Sequence, residues 1–350
     1  MDANEGWRLR AWDGRPRWER WPAPPPGPGE VQVRVEACGV GLTVLNNMGG
    51  VNWDDPSMLP RVPGHELVGH VVAAGAGVDE PAVGDRVLAY FYLSCFACPA
   101  CRSGREDRCA RSAGRLGIHR DGGYARLVTL PAGNAVPFPY DLDAAEATVI
   151  PDAVATPVHV CRTRLGLREG ERLVVIGAGG GVGAHLVQVA LADGAEVTGL
   201  DRTEAKLALV GKLGATAADA AAGFDDVRLG HWDGVADAVV DLVGTPASLA
   251  WALGRLGQGG RLCLLTTYPG VTVPVTPRDL VARELAVVGS HYATRAEVAE
   301  AARLVAGGVV RPMLGRVAPA PEAEELHDGL RAGTLLGRGA IRFDEQPASP

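Results

Sequence analysis

The sequence predicts an α/β protein in which a mostly β amino-terminal part is followed by a doubly wound parallel sheet. Short stretches that alternate apolar and polar residues, divided by glycine and proline turns, fill residues 30–130. From residue 173 to 289, short apolar runs alternate with helical stretches, which is the rhythm of parallel strands joined by crossover helices. A glycine-rich turn at 177–183 separates the first of these runs from its helix, as between the first strand and helix of a nucleotide-binding fold.

The amino-terminal part begins with a predicted hairpin over residues 7–21, which turns at Asp13-Gly14. The proline-rich run that follows, up to Gly29, cannot form regular structure and is expected to be a stiff connector. Further strands are predicted at four places: 31–35, 67–73, 85–90 and 124–130.

The later part contains the apolar runs of the parallel sheet. They lie at 173–176, 197–200, 237–242, 261–265 and 285–288. A helix is predicted to begin at Thr245, where a capping threonine precedes a proline. Another begins at Thr294, which forms a capping box with Glu297, and runs to about Val305. Residues 341–343 are predicted to form a strand that returns to the first domain.

Bulk composition excludes several classes of function. The 350 residues are enough for two domains, and 47% of them are hydrophobic, as in a packed globular protein. A net charge of −7 provides no basic face for nucleic acid or for anionic lipid. The first eight residues lack the apolar core of a signal peptide, so we expect a cytoplasmic protein that binds neither nucleic acid nor membrane.

The glycine-rich turn is expected to hold a pyrophosphate on the free N–H groups and positive dipole of the helix that follows. Glycines occur at every third position, 177, 180 and 183, although Val182 stands where the strict motif has its third glycine. Taken alone, the turn fits an ordinary glycine-rich turn equally well. The residues expected to contact the cofactor are Gly177, Gly180, Gly181, Val182 and Gly183.

Asp201 ends the second apolar run, 24 positions after Gly177 and close to the spacing expected for the acid that holds the ribose hydroxyls. Its carboxylate would repel a 2′-phosphate, so it favours NAD over NADP. Arg202 argues in the opposite direction, because an arginine there can accommodate that phosphate. The alternative is that Asp201 caps a helix and Arg202 is solvated surface.

A cluster of four cysteines, Cys95, Cys98, Cys101 and Cys109, is the most specific motif in the chain. Four thiolates in so short a loop predict a closed tetrahedral site for one structural zinc ion per chain. Two disulfides are the rival interpretation, which a cytoplasmic location disfavours.

Several motifs together resemble the medium-chain zinc alcohol dehydrogenase family over nearly the whole chain. They are Cys38-Gly-Val, Gly64-His65-Glu66, the four-cysteine lobe at 95–109 and Gly122-Gly-Tyr124-Ala. The resemblance implies a GroES-like catalytic domain of residues 1–152 and 290–350, and a Rossmann domain of residues 153–289. It also implies a cleft where NAD and a small alcohol or ketone meet, and assembly as a homodimer or homotetramer.

The resemblance also implies roles for single residues. Asp201 and Lys206 match ribose-binding positions, and Thr156 and Arg202 complete the expected cofactor-binding set. In the family a Cys-Gly-x-Cys-x-Ser/Thr run supplies a catalytic zinc ligand, but here glycine, Gly41, stands at the ligand position. His65 and Asp152 match the other two ligands.

Proton transfer is the second role implied. Thr43 matches the hydroxyl that passes on the substrate proton, and the relay histidine is replaced by Asn46. The catalytic residues expected are therefore Thr43, His65, Glu66 and Asp152.

The catalytic metal is open at this stage. A zinc ion on His65, Glu66 and Asp152 would have harder ligands than the usual thiolate site. Without a metal, His65 or Asp152 would act as general base, with Thr43 passing the proton. Ordinary alternatives exist for both, since His65 can satisfy backbone groups at a strand start and Asp152 can cap a helix. The remaining cysteines (Cys38, Cys161, Cys263) and histidines (His70, His159) are expected to pack rather than react.

Three functions are compatible with these residues. The leading one is a NAD-dependent oxidoreductase that interconverts an alcohol, most simply a secondary one, and a ketone or aldehyde. The second is a carbon–carbon double-bond reductase of the same superfamily, which needs no metal because the hydride goes to a conjugated position. The third is a NAD-binding protein without catalysis, although the joint retention of Thr43, His65 and Asp152 argues against it.

Overall fold

The structure is a computed structural model that describes residues 3–51, 53–229 and 232–343. The strands within these ranges are β1 Ala3–Arg8, β2 Arg17–Pro22, β3 Glu30–Val40, β4 Leu67–Ala74, β5 Arg86–Ala89, β6 Leu127–Pro131, β7 Ala135–Pro137, β8 Arg172–Ile176, β9 Glu196–Asp201, β10 Thr216–Asp219, β11 Ala236–Asp241, β12 Leu256–Leu264, β13 Ala286–Gly289, β14 Leu314–Pro319 and β15 Arg338–Arg342.

The α-helices of the same ranges are α1 Leu42–Met48, α2 Pro99–Arg102, α3 Ala144–Ala147, α4 Ala155–Val158, α5 Gly181–Ala192, α6 Glu204–Lys212, α7 Pro246–Arg255, α8 Pro277–Arg283, α9 Arg295–Ala306 and α10 Ala323–Arg331. Turns of π-helix, Ile150–Val154 and His159–Leu165, flank α4. Across the described ranges, no helix has both the length and the apolar character needed to cross a bilayer.

The chain divides into two compact units. The first comprises the described residues of Met1–Asp152, Thr294–Ala306 and Leu314–Pro350, and the second comprises those of Ala153–Ala293 and Gly307–Met313. The sequence assigned all of 290–350 to the first unit, whereas 290–293 and 307–313 group with the second. Hydrogen bonds explain the second of these differences. Gln188 on α5 accepts from and donates to the backbone of Arg311, and Nε2 of His185 accepts the N–H of Met313.

The first unit is built on a seven-stranded sheet with the order β14-β15-β3-β4-β5-β7, in which β6 also pairs with β3. Val31, Val33 and Val35 of β3 are buried, which confirms the predicted alternation. The last strand, β15, runs antiparallel to β3 and places Gly339 opposite Val40. This register brings the start of β15 beside the end of β3.

The second unit is a six-stranded, all-parallel sheet with the order β10-β9-β8-β11-β12-β13, which confirms the predicted doubly wound fold. β8 lies beside β11, so the strand order reverses between them. In such sheets ligands bind in the crevice at the carboxyl ends of the strands where the order reverses. The glycine-rich turn leaves β8 at this point.

Candidate active site

The four cysteines of the lobe converge as a metal site requires. The Sγ atoms of Cys98 and Cys101 are 3.4 Å apart, and both the Cys95–Cys101 and Cys98–Cys109 separations are 3.9 Å. A tetrahedral zinc ion with Zn–S bonds of about 2.3 Å sets sulfur atoms about 3.8 Å apart. The four residues therefore fit the structural zinc ion that the sequence predicts, and all seven cysteines are free of disulfides.

Backbone donors prepare these thiols for a metal. The N–H of Cys95 donates to Sγ of Cys109, and the N–H of Cys98 donates to Sγ of Cys95, both at 3.3 Å. Hydrogen bonds from the backbone at Ala97 and Cys98 lower the pKa of Cys95 to about 6, because they stabilise its thiolate. The lobe is fixed to the rest of the unit by Glu106, a buried carboxylate that accepts the first backbone N–H of α9, at Arg295.

The glycine-rich turn is shaped for a phosphate. Gly177 follows β8 with a φ of +85°, a conformation that favours glycine. The helix α5 begins at Gly181, and its N-cap, Gly180, has no side chain to satisfy the first N–H groups. A Cβ atom on Gly183 would collide with the carbonyl oxygen of Gly177, so Gly183 allows the helix to pack tightly on the turn. Gly183 thus has the packing role of the motif's third glycine, while Val182 beside it is half-buried.

Asp201 is held at the end of β9 beside this turn. Its Oδ2 accepts the N–H of Gly179 at 2.9 Å, and its Oδ1 accepts the N–H of Arg202 at 2.8 Å. Nζ of Lys206 lies 3.9 Å from Oδ1. The carboxylate is therefore oriented by the turn and retains lone pairs for ribose hydroxyls. The side chain of Arg202 is exposed, and Thr156 is buried in α4.

A second cluster lies in the first unit, where His65, Glu66 and Asp152 meet. Their ligand atoms all lie within 4.8 Å of one another. His65 and Glu66 come just before β4, and Asp152 comes from the π-helical turn before α4. Nε2 of His65 is buried, lies 3.5 Å from Oδ2 of Asp152 and makes no hydrogen bond among the described residues. Phe91 packs against the imidazole with ring centroids 4.6 Å apart.

The fourth member of this cluster is Arg338, which was not predicted from the sequence. Arg338 is buried, with a relative exposure of 4%. Nε lies 3.2 and 3.1 Å from the two carboxylate oxygens of Glu66, and Nη2 donates to Oε1 of Glu66 and, at 3.1 Å, to Oδ2 of Asp152. The residue opens β15, a strand predicted only at 341–343. An arginine between two glycines, just before the predicted strand, was the signal available.

Two glycines of β3 and its end make room for these side chains. A Cβ atom on Gly39 would collide with the carboxylate of Glu66, and one on Gly41 would collide with the guanidinium of Arg338. Gly39 and Gly41 are two positions apart, so they present their Cα atoms on the same side of an extended chain. Gly41 therefore has a steric partner, Arg338.

Burial shapes the charges of the cluster. It raises the pKa of Glu66 above its usual range, with Arg338 opposing that effect. Burial by itself would lower the pKa of Arg338, but Glu66 and Asp152 keep it above the usual value, so the guanidinium is charged. Burial also raises the pKa of Cys38, which makes this neighbour an inert thiol.

Comparison with known proteins identifies the family. Residues 27–140 match the alcohol dehydrogenase GroES-like domain, and residues 181–307 match the zinc-binding dehydrogenase domain. An alcohol dehydrogenase of Geobacillus stearothermophilus is 34% identical over 322 residues, which cover 90% of this chain and 93% of that protein. The chain belongs to the medium-chain zinc alcohol dehydrogenase family.

Members of this family with other names are also similar to the chain. Acryloyl-coenzyme A reductase of Metallosphaera sedula is 30% identical over 325 residues, 90% of this chain and 92% of that protein. The crystal structure of a zinc-binding dehydrogenase from Sinorhizobium meliloti, bound to NADP, is 30% identical with a TM-score of 0.86 and covers 98% of this chain and all of that one. The protein is thus an alcohol dehydrogenase-like oxidoreductase with a GroES-like and a Rossmann domain.

The catalytic zinc site implied by the alcohol dehydrogenase pattern does not fit this centre. His65, Glu66 and Asp152 offer three donors, but Glu66 and Asp152 are already bound to the guanidinium of Arg338. That guanidinium also fills the space beside Gly41, where the pattern has its thiolate ligand. A zinc ion bound there would be repelled by the fixed positive charge of Arg338.

The remaining candidates lie elsewhere. Thr43 is exposed in the first turn of α1, two residues after Gly41. Cys38, Cys161 and Cys263 are buried, as is His159, and all four are core residues as predicted. His70 is only partly buried, with Nδ1 3.7 Å from Glu36.

Proposed function

We propose that this chain is a NAD-dependent reductase of conjugated carbon–carbon double bonds in small molecules. The observation that carries the proposal is the guanidinium of Arg338, which occupies the place beside Gly41 and binds both acids of the cluster. Reducing a conjugated bond needs no metal at the reacting carbon. Relatives of the chain include an acryloyl-coenzyme A reductase, whose name supports this class of substrate.

The reaction adds a hydride to the β-carbon and a proton to the α-carbon of the conjugated system. NADH would supply the hydride and would be oxidised to NAD. The turn at Gly177, the uncapped first turn of α5 and Asp201 fit such a dinucleotide through its pyrophosphate and ribose. We infer NAD rather than NADP because the fixed carboxylate of Asp201 would face a 2′-phosphate.

The proton is the part of the chemistry that the first unit supplies. Nε2 of His65 is a buried nitrogen without a hydrogen-bond partner among the described residues, so it is available to donate to a substrate. Oδ2 of Asp152 lies 3.5 Å from this nitrogen, and Phe91 packs against the imidazole ring with ring centroids 4.6 Å apart. General acid catalysis of this kind contributes about 10²–10⁴-fold.

Loss of NADH absorbance at 340 nm tests the proposal. Purified protein is mixed with NADH and, in separate reactions, with a cyclic enone, an enoyl thioester and the saturated analogue of each. We expect turnover on the unsaturated compounds only, and slower turnover when NADPH replaces NADH. No turnover on any of them, with tight NADH binding retained, would instead indicate a non-catalytic NAD-binding protein.

Interconversion of an alcohol and a ketone or aldehyde is the second candidate. It is favoured by the same pair, because His65 or Asp152 can act as a general base and accept the hydroxyl proton of an alcohol. Formation of NADH from NAD and secondary alcohols tests it. Efficient alcohol oxidation without enone reduction would reverse the order of the two candidates.

Oligomeric state is a separate part of the proposal. We propose a homodimer or homotetramer, as the family resemblance implies. Light scattering on the eluted protein decides it, and a mass near the 36.4 kDa of one chain would contradict it.

A further inference from the structure

We propose that Arg338 is a built-in cation that replaces the catalytic metal of this centre, that it positions Asp152 for His65, and that Gly41 is the residue that admits it. This role of Arg338 belongs to the centre itself and is the same whichever substrate is reduced or oxidised. The two residues form a matched pair, in which a guanidinium and a glycine stand where a metal and a cysteine would otherwise be.

Strand register brings the pair together. β15 is antiparallel to β3, with Gly339 opposite Val40 and Ala340 opposite Gly39. One step further, Arg338 reaches the end of β3 and Gly41. The side chain then extends over the glycine, since any Cβ atom there would collide with Nη1 and Cζ of the guanidinium. A cysteine at position 41 would therefore require the guanidinium of Arg338 to leave this position.

The guanidinium also supplies a positive charge beside the two carboxylates of the centre. It binds Glu66 through two nitrogens and Asp152 through one of these two, and it is almost fully buried. Arginine suits this task because its planar fork pairs with carboxylates bidentately and stays charged when buried. Two buried carboxylates are thereby held without a metal ion.

Asp152 transmits this arrangement to His65. Its Oδ2 lies 3.1 Å from Nη2 of Arg338 and 3.5 Å from Nε2 of His65. One carboxylate oxygen is thus shared between a permanent cation and an imidazole. Arg338 fixes that oxygen, so it acts as a positioning residue through Asp152.

Metal content provides the first test. The wild-type protein is incubated with excess zinc, desalted and analysed, and the cobalt-substituted protein is examined by visible absorption. We expect one zinc ion per chain, held by the four-cysteine lobe, and the cobalt spectrum of a single thiolate site. Two zinc ions per chain, one of which is lost in Asp152→Asn, would overturn the inference.

Exchanging the pair provides the second test. The double variant Gly41→Cys/Arg338→Ala introduces a thiolate and removes the guanidinium, so that His65, Asp152 and the new thiolate can together bind a metal ion. We expect two zinc ions per chain in this variant and one in the single variant Gly41→Cys. A folded double variant that still binds only one ion would contradict the proposed exchange.

Kinetics separate positioning from simple structural support. Arg338→Lys keeps a charge with shorter reach, and Arg338→Met/Glu66→Gln removes both members of the buried ion pair so that neither charge is left alone. We expect kcat to fall at least tenfold in Arg338→Met/Glu66→Gln, with partial retention in Arg338→Lys and an unchanged KM for NADH in both. A wild-type kcat in a folded Arg338→Met/Glu66→Gln variant would overturn the positioning role of Arg338. Zinc stoichiometry does not depend on turnover, so failure of the proposed reductase activity would remain distinguishable from failure of this inference.

Discussion

Nη2 of Arg338 lies 3.1 Å from Oδ2 of Asp152, although the two residues are 186 positions apart in the chain. The contact joins the strand β15 to the turn before α4 and leaves the same carboxylate beside His65. It makes Asp152 the link between a fixed charge and a group that can carry a proton.

Asp152→Asn keeps the shape of this side chain and removes its charge. Because the neutral amide no longer places a negative charge 3.5 Å from Nε2 of His65, we expect kcat to fall about 10²-fold, within the range of general acid–base catalysis. Zinc content should stay at that of the wild type. Steady-state kinetics and elemental analysis measure both, and Asp328→Asn, at an exposed carboxylate paired with Arg331, is the matched control.

Cys98→Ser tests the structural zinc ion. Removal of one of four thiolates should abolish zinc binding, and the thermal midpoint should fall because the lobe loses the cross-link that the metal provides. Elemental analysis and calorimetry measure the two effects. Cys161→Ala, at a buried cysteine outside the lobe, should retain all the zinc even where it reduces stability. Retention of zinc by Cys98→Ser would contradict the four-cysteine site.

Asp201→Asn tests the choice of cofactor. The amide no longer repels a 2′-phosphate, and Arg202 beside it can then contribute a positive charge. We expect the ratio of kcat/KM for NADH over NADPH to fall at least tenfold, which corresponds to about 1.4 kcal/mol. Asp219→Asn, at the exposed end of the neighbouring strand β10, should leave the ratio unchanged. An unaltered ratio in Asp201→Asn would remove Asp201 from the ribose site.

Gly183→Ala tests the packing of α5 on the glycine-rich turn. The added methyl group meets the carbonyl oxygen of Gly177, so helix and turn must separate. We expect the free energy of unfolding to fall by about 1–3 kcal/mol, as for overpacking elsewhere, and NADH to bind more weakly. Gly211→Ala in α6 has nothing within 4 Å of the new Cβ atom and should stabilise the protein by up to about 1 kcal/mol. Chemical denaturation measures the stability of both variants, and titration with NADH measures their affinity for the cofactor.

Tyr124 and His327 form a buried stacked pair that predicts a dependence of stability on pH. Their rings lie 5.8 Å apart and the tyrosine hydroxyl is 3.2 Å from Nε2. Burial lowers the pKa of His327 to about 4, from the 6.5 of a free histidine. Between these values the unfolded chain binds more protons than the folded one, so stability falls as the pH falls from 6.5 towards 4.

The expected slope for this group is about 1.4 kcal/mol per pH unit inside that window. Tyr124→Phe/His327→Phe removes the titrating ring together with its hydrogen-bond partner. Denaturation at several pH values should show a shallower acid loss in this variant than in the wild type. Equal slopes would show that His327 does not titrate on unfolding.

The sequence was sufficient for features that depend on local pattern. The parallel sheet, the capping box of Thr294 with Glu297 and the convergence of the four cysteines all appear where periodicity and spacing place them. The strand β10, Thr216–Asp219, was not predicted, because it is a short and largely exposed edge strand without an apolar run. Local pattern carries no signal for such a strand.

The centre at His65 was only partly predictable, for a different physical reason. His65, Glu66 and Asp152 were found through motifs, and the structure does bring them together. Arg338 was missed because its role depends on the register of β15 against β3, which no short window of sequence contains. The sequence alone indicates that Gly41 is the loss of a ligand, whereas the structure shows that it lies against Arg338 of the neighbouring strand.

The position of β15 also has a consequence for biosynthesis. Glu66 and Arg338 are 272 residues apart, so the buried carboxylate gains its counter-charge only after all the residues between them and Arg338 itself have been made. The residues of the parallel sheet are complete earlier and can fold first, since domains generally fold as units during translation. A nascent chain that stalls before residue 338 would hold an unfinished sheet with an open edge at β3, which makes such fragments targets for chaperones and proteases.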